Sequence, residues 1–281
     1  MAEDADWLDR NRTMWDGVTP AHLASPLYDI DGFLSGRLSL QPHEIADLGP
    51  VAGRDLIHLQ CHIGLDTLSW ARLGANVTGL DFSAPALSAA RDLATRIGVE
   101  ARFVEADIYD APAALQGATY DIVYTGVGAL CWLPDMARWA RVVHDLLRPG
   151  GELYLFEFHP VEWILDAGPS GTPQIFYDYF TPAAGYRAGG AVTYAAPASI
   201  ESPAETVQWN HPLGEIVTAL AATGLRIESL RELDRSVLQG WSGMESTGDG
   251  MFRQPATSPS LPLMYVLRAS RPALSAHPAN A

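Results

Sequence analysis

A chain of 281 residues with 48% hydrophobic and 18% charged residues can bury one large core or two smaller ones. The net charge is −15, and all 18 basic residues are Arg with no cluster that could neutralise a phosphate backbone, so nucleic acid is not an expected partner. No apolar run approaches the ~20 residues of a membrane helix, the opening MAEDADWLDR lacks the basic and apolar regions of a signal peptide, and Cys61 and Cys131 have no CxxC spacing. These features exclude a membrane span and a disulfide framework, and they predict a soluble, cytoplasmic protein without a metal cluster.

In chain order, residues 1–50 hold scattered aromatics among turn formers, with helical pieces predicted over 4–17 and 41–48. From residue 51 the pattern becomes regular. DLIHLQC reads as a first strand, Leu65 to Leu73 as a helix stopped by Gly74, and NVTGLDF as a second strand. Ser83 is a good N-cap for a helix that has Pro85 in its first turn and ends at Gly98. ARFVEAD and YDIVYTGV are the third and fourth strands. MARWARVVHDLLRPGG is an amphipathic helix with a Pro-Gly-Gly stop, and ELYLFEF is the fifth strand.

Regularity lapses between His159 and His211, where Gly, Pro and aromatics suggest a lid or strand-and-loop insertion over 161–210. HPLGEIVTALAATGL restores a helix, RIESLREL is a sixth strand and LPLMYVLRAS a seventh, with a polar loop at about 234–260 between them. That loop could join two copies in a homodimer. The tail over 272–281 reads as disordered. The fold expected is α/β: a Rossmann-like, doubly wound, seven-stranded sheet with helices on both faces, its core drawn from 51–160 and 211–271. It is mostly parallel. The last two strands lack a crossover helix, so an antiparallel hairpin should close the edge.

In such sheets a ligand binds beyond the carboxyl ends of the strands. The turn Gln60-Cys61-His62-Ile63-Gly64 follows strand one and leads into a helix N-terminus, where free N–H groups favour an anion. Asp81, after strand two, can accept from both hydroxyls of a ribose and would repel a 2′-phosphate. Asp107, after strand three, can accept from an adenine amine with the Ile108 backbone beside the ring. At this point phosphate and carboxylate both remain open as the anion that the one-glycine loop would hold.

The stretches QCHIGLDTLSWARLGANVTGLDFS, CWLPDMARWARVV and LRPGGELYLFEFHP make the chain resemble the class I S-adenosylmethionine-dependent methyltransferases of small-molecule type, over about 51–160 and 211–270. The resemblance implies transfer of the cofactor's methyl group to N, O or C of a small metabolite, with S-adenosylhomocysteine as product. It implies that Gln60, Cys61, His62 and Gly64 hold the methionine end. Asp81, with Phe82, would bind the ribose, and Asp107, with Ile108, the adenine. Thr125 and Gly126 would pass near the sulfonium, and Tyr28 would close over the site from the N-terminal lid. The chain departs from the family where the usual strand-one acid is His58 and the first two loop glycines are Gln60 and His62.

His159, directly after strand five, is the first candidate base, because a pKa of ~6.5 suits proton removal at neutral pH. His211 is the second. Trp15, Tyr177, Tyr179 and Trp209 are candidate walls for the acceptor. Three readings compete with methyl transfer: a rearrangement using the cofactor without transfer, an NAD-dependent oxidation, and a non-catalytic partner subunit.

Overall fold

The computed structural model describes residues 6–168, 171–189, 195 and 205–273. The tail for which disorder was expected lies, from residue 274 on, outside the described residues, as do parts of the predicted insertion. The N-terminal segment forms helices α1 (Trp7–Ala24), α2 (Ile30–Leu34) and α3 (Pro42–Leu48). Helix α1 runs well past the stop expected at 17, continuing through Pro20. Proline costs a helix its N–H bond, so packing rather than propensity sustains this last turn.

The core alternates β1 (Asp55–Leu59), α4 (Leu65–Arg72), β2 (Asn76–Asp81), α5 (Ala84–Ile97), β3 (Arg102–Glu105), α6 (Ala111–Ala114), β4 (Tyr120–Thr125), α7 (Met136–Leu146) and β5 (Leu147–Phe158). The short α8 (Pro160–Trp163) opens the insertion, which contains two small antiparallel pairs. One joins β6 (Leu165–Ala167) to β7 (Pro173–Ile175), the other β8 (Tyr186–Ala188) to β9 (Thr206–Gln208). Helix α9 (Leu213–Ala222) and β10 (Arg226–Leu233) return to the core. Three short strands, β11 (Arg235–Ser236), β12 (Glu245–Ser246) and β13 (Phe252–Arg253), fold the polar loop before β14 (Met264–Ser270).

The main sheet has seven strands in the order β10-β14-β5-β4-β1-β2-β3. β14 runs antiparallel to both β5 and β10, and the remaining pairs are parallel. The predicted seven-stranded, mostly parallel sheet is therefore the observed one, with its antiparallel hairpin at the edge. Because successive side chains point to opposite faces, Ile57 and Leu59 of β1 pack with Trp139 and Val143 of α7 on one side. Leu56 packs with Trp70 of α4 and Tyr124 on the other.

Ser83 caps α5 as the sequence predicts, and the structure adds a second cap at Asp135. The Ser83 hydroxyl accepts from Ala86 N at 3.3 Å, and the Asp135 carboxylate accepts from Arg138 N at 2.8 Å to start α7. The strand order reverses between β1 and β4, so the loops after those two strands flank the crevice.

Candidate active site

The loop after β1 is held in an uncommon conformation. Gln60 (φ 57°), His62 (φ 50°) and Gly64 (φ 77°) are all left-handed. For the two non-glycine residues this costs about 1–2 kcal/mol each. A Cβ at Gly64 would lie 2.8 Å from Ala90 Cβ, so only glycine fits between this loop and α5. Gln60 and His62 occupy the two places where the family pattern has glycine. The backbone shape is thus kept while side chains are gained.

Three bonds stabilise the strained loop. His62 N donates to Asp81 Oδ2 at 2.8 Å, Cys61 N donates to Leu80 O at 3.0 Å, and Gln60 Nε2 donates to Ala129 O at 2.9 Å. The last bond ties it to the loop after β4. That second loop is shaped by Glu157 of β5, whose buried carboxylate accepts from Gly128 N (2.7 Å), Ala129 N (2.8 Å), Leu130 N (3.0 Å) and Phe158 N (2.7 Å). Burial raises the Glu157 pKa, against the lowering effect of these four N–H groups.

Asp81 ends β2, its Oδ1 accepting from Ser83 N at 2.8 Å. Burial pushes its pKa up to about 6. Asp107 caps the short 3-10 helix Ile108–Asp110, with Oδ1 accepting from Tyr109 N at 2.8 Å, and burial likewise raises its pKa. Helix α1 lies across these strand ends. Arg12 stacks over Phe82 at 5.9 Å, Asp16 accepts from the Ser83 hydroxyl at 2.6 Å, and Trp7 packs edge-on to Tyr109.

Further along α1, Trp15 meets Trp132 (ring centroids 5.3 Å apart) and His62 (5.1 Å) edge to face. His22 Nδ1 lies 3.1 Å from His62 Nε2 and 3.3 Å from the Tyr28 hydroxyl. Burial lowers the His22 pKa to about 4. Burial, helped by His22 and His58, lowers that of His62 to about 3. Both imidazoles are therefore neutral at pH 7.

The structure brings Tyr28, Trp15, Gln60 and His62 to the crevice between the β1 and β4 loops, together with Thr125 at the end of β4, while Gly64 packs on α5 and Asp81 ends β2. Asp107 and Ile108 stand at the end of β3. Cys61 is buried beneath the loop, and burial raises its thiol pKa well above the ordinary value. Gly126 packs against His58 and Asp66, which a Cβ there would meet at 3.3 and 3.4 Å.

The two candidate bases are engaged elsewhere. His159 caps α8, its Nδ1 accepting from Val161 N at 3.0 Å, and its Nε2 lies 2.9 Å from Glu232 Oε1. With Nδ1 used as acceptor, Nε2 must carry the proton, and neither nitrogen has a lone pair for a substrate. His211 Nε2 donates to Leu133 O at 2.8 Å, while Nδ1 faces Glu215 at 3.1 Å. Trp209 is buried against Trp7, with Nε1 donating to Ala183 O at 3.1 Å. Tyr177 packs on Trp163 and Tyr186, and Tyr179 on Phe180. These three aromatics hold the insertion together rather than joining the cluster around His62.

The sequence reading missed His22, Trp132 and Glu157. For His22 a signal existed, since Trp15 and His22 are seven apart and share a face of any helix long enough to include both.

A surface recess of about 490 Å³ is lined by Asp55, Asn76, Arg102 and Tyr120. These are the first residues of β1 to β4, at the end of the sheet opposite to the one where ligands bind. It is not the site.

A family model described as a methyltransferase domain matches residues 57–153. The ubiquinone biosynthesis O-methyltransferase of Cronobacter sakazakii is 30% identical over 165 residues, covering 53% of this chain and 67% of that protein. Its namesake from Ralstonia nicotianae is 30% identical over 169 residues, covering 56% and 66%. The chain thus spans about two thirds of the length of these relatives. Among solved structures, an S-adenosylmethionine-dependent methyltransferase from Mesorhizobium loti superimposes with a TM-score of 0.60 at 23% identity, covering 85% of this chain and all (100%) of that one. One from Methanosarcina mazei gives 0.54 at 20%, covering 84% and 100%. These two structures speak for the fold alone.

The chain belongs to the class I S-adenosylmethionine-dependent methyltransferases. It is an enzyme that uses S-adenosylmethionine to methylate a small molecule.

The residues present fit that cofactor. Among the described residues, Gln60 Oε1 and Thr125 Oγ1 are buried without a hydrogen-bond partner, at the ends of β1 and β4. Leaving such a group unsatisfied costs about 1–3 kcal/mol. An ammonium placed between the two loops supplies the donors they lack.

Proposed function

We propose that the protein methylates a hydroxyl group of a small, flat, largely apolar acceptor, with Trp15, Trp132 and Tyr28 as its walls. The observation carrying this reading is the aromatic cluster itself: Trp15 packs edge to face on both His62 and Trp132, Tyr28 lies tilted against His62, and two neutral imidazoles stand between them. Aromatic walls favour a planar partner, and a neutral site does not repel the cofactor's positive charge. The relatives named as O-methyltransferases support oxygen as the accepting atom.

In this reading Asp81 accepts from the ribose hydroxyls with Phe82 beside it, and Asp107 accepts from the adenine amine with Ile108 along the ring. Gln60, Cys61, His62 and Gly64 shape the methionine pocket, its ammonium held by Gln60 and Thr125. Gly126 lets the β4 loop pass close to the sulfonium, and Tyr28 closes the mouth. When bound, the cofactor supplies an activated methyl group, so alignment of the acceptor is the protein's main contribution, worth roughly 7–11 kcal/mol.

Residues 1–50 and 161–210 act as roof and lid over a core of 51–160 and 211–271. The acceptor is the expected partner, with no nucleic acid, and the 234–260 loop is the place for a homodimer contact. No helix among the described residues is long and apolar enough to cross a membrane, and the cytoplasm is the compartment this reading assigns.

The test is a panel of hydroxylated aromatics incubated with S-adenosylmethionine and read by mass spectrometry. A product heavier by one CH2, with release of S-adenosylhomocysteine, is expected. A product of unchanged mass would replace this reading with cofactor-assisted rearrangement. Calorimetry with S-adenosylmethionine and NAD in parallel should show binding of the first, at about micromolar Kd, and not the second.

A further inference from the structure

We propose that His62 and His22 form a proton-accepting pair for this reaction, His62 taking the acceptor's proton at Nδ1 while His22 Nδ1 holds the Nε2–H. The proposal rests on the hydroxyl-methylation reading above. His62 is the catalytic residue, because it would touch the acceptor, and His22 is a positioning residue.

Three independent features of the structure lead to this pairing. The first is distance: the ring nitrogens stand 3.1 Å apart on elements 40 residues distant in sequence. The second is backbone cost, since His62 sits at φ 50° where glycine would be free of strain. Strain of this kind persists at functional positions because the side chain is needed there. The third is surroundings. His22 is 1% exposed within α1, and Trp15 and Tyr28 pack against both imidazoles.

Capping and carbonyl bonds occupy His159 and His211, whereas the His62 bond to His22 uses Nε2 and leaves Nδ1 for the acceptor. A hydrogen bond to one ring nitrogen sets which tautomer the other presents. If His62 donates from Nε2 to His22, Nδ1 must carry the lone pair. A second histidine here does the orienting that a carboxylate does in many catalytic pairs. The titratable groups around His62 are His22 of α1, Tyr28 before α2, His58 of β1 and Asp81 of β2, with Asp16 of α1 acting on Asp81.

The step balances. The acceptor oxygen forms the new C–O bond, the C–S bond breaks with its electron pair staying on sulfur, and the hydroxyl proton goes to His62 Nδ1. One positive charge leaves sulfur and one appears on the imidazole, so the charge of the enclosed site does not change. A histidine neutral beforehand meets that requirement.

The experiment combines kinetics with ¹⁵N-histidine NMR. His62→Gln keeps a donor toward His22 and removes the base. It should lower kcat for weakly acidic phenols by roughly 10²–10⁴-fold, with a much smaller loss for nitrophenols that are already ionised. S-adenosylhomocysteine affinity of the variant, measured alongside, separates any loss in the methionine pocket from the loss in kcat, and the ratio between the two classes of phenol is the readout. In the S-adenosylhomocysteine-loaded wild type, NMR should find His62 protonated at Nε2 and bare at Nδ1, and His22→Asn should scramble that tautomer. Equal losses for acidic and weakly acidic phenols, or a His62 protonated at Nδ1, would overturn the pair. If the wild type methylates no hydroxyl acceptor, the hydroxyl reading fails, and the NMR measurement still decides whether the pair exists.

Discussion

Asp81 holds two turns at once, one oxygen accepting from His62 N and the other from Ser83 N, burial raises its pKa to about 6, and in the function proposed above it also meets the ribose. An ionised carboxylate is the stronger acceptor for ribose hydroxyls. Affinity for S-adenosylmethionine should therefore be level at neutral pH and weaken as pH falls through about 6, which calorimetry across that range would reveal. Asp81→Asn should flatten the dependence and weaken binding about 10–100-fold. The same raised pKa acts oppositely on the free protein. The stability contributed by protonated Asp81 is full below the unfolded value, 3.8, and is lost as pH rises through about 6.

Glu44 behaves likewise, further from the site. It is buried in α3, accepting from Tyr124 Oη at 2.6 Å and Gln41 N at 2.7 Å, and burial, with Asp66 nearby, raises its pKa from 4.5 to about 8. Its contribution is complete below pH 4.5 and lost as pH rises through about 8. Glu44→Gln keeps the shape without the charge. Its melting temperature should exceed the wild type's increasingly across that window, by about 1.4 kcal/mol of stability for each pH unit in which the wild type loses ground. Melts near pH 5 and pH 8 would settle it; equal Tm at both values for the two proteins would refute it.

Among elements, α1 decides whether the site is closed. Asn11 is 0% exposed and acts as a strand partner: its Nδ2 donates to Val207 O at 2.8 Å, and its Oδ1 accepts from Val207 N at 2.9 Å. Arg10 and Arg187 both pair with Glu205 at the same seam. Asn11→Ala leaves two buried backbone groups of β9 unpaired, costing about 1–3 kcal/mol each. The roof should then loosen, raising KM for the acceptor more than it lowers affinity for S-adenosylhomocysteine.

How far such elements could be read in advance depends on how local their signals are. The β-α alternation was legible because each strand is a short apolar run and the helices between them stop at glycines such as Gly74 and Gly98. Asp81 and Asp107 could be picked out by their place just after strands. The His22–His62 contact had no such trace. It spans 40 residues, and the helix that delivers His22 crosses a proline that normally signals an end. His159 looked like a base because it follows β5, yet the N–H of Val161, two residues on, claims its lone pair.

At the scale of the whole molecule, Trp15 and Trp132 are joined at the switch point of the sheet, so cofactor binding should report as a change in tryptophan fluorescence. Trp15→Phe should remove most of that change while leaving the cofactor's Kd within about threefold. An undiminished signal would place the reporting tryptophan elsewhere.

The sheet order carries a different consequence. β14 is inserted between β5 and β10, its Met264 paired with both Phe158 and Leu233. As the ribosome extrudes the chain, β10 emerges with no neighbour to receive its N–H and C=O groups, and it waits until residues 264–270 follow. The five parallel strands can assemble during synthesis, but the edge of the sheet closes only after the seven residues of β14 have left the exit tunnel. A nascent chain arrested before residue 264 would thus present β5 as a bare edge, the form of this protein most exposed to aggregation and to chaperone capture.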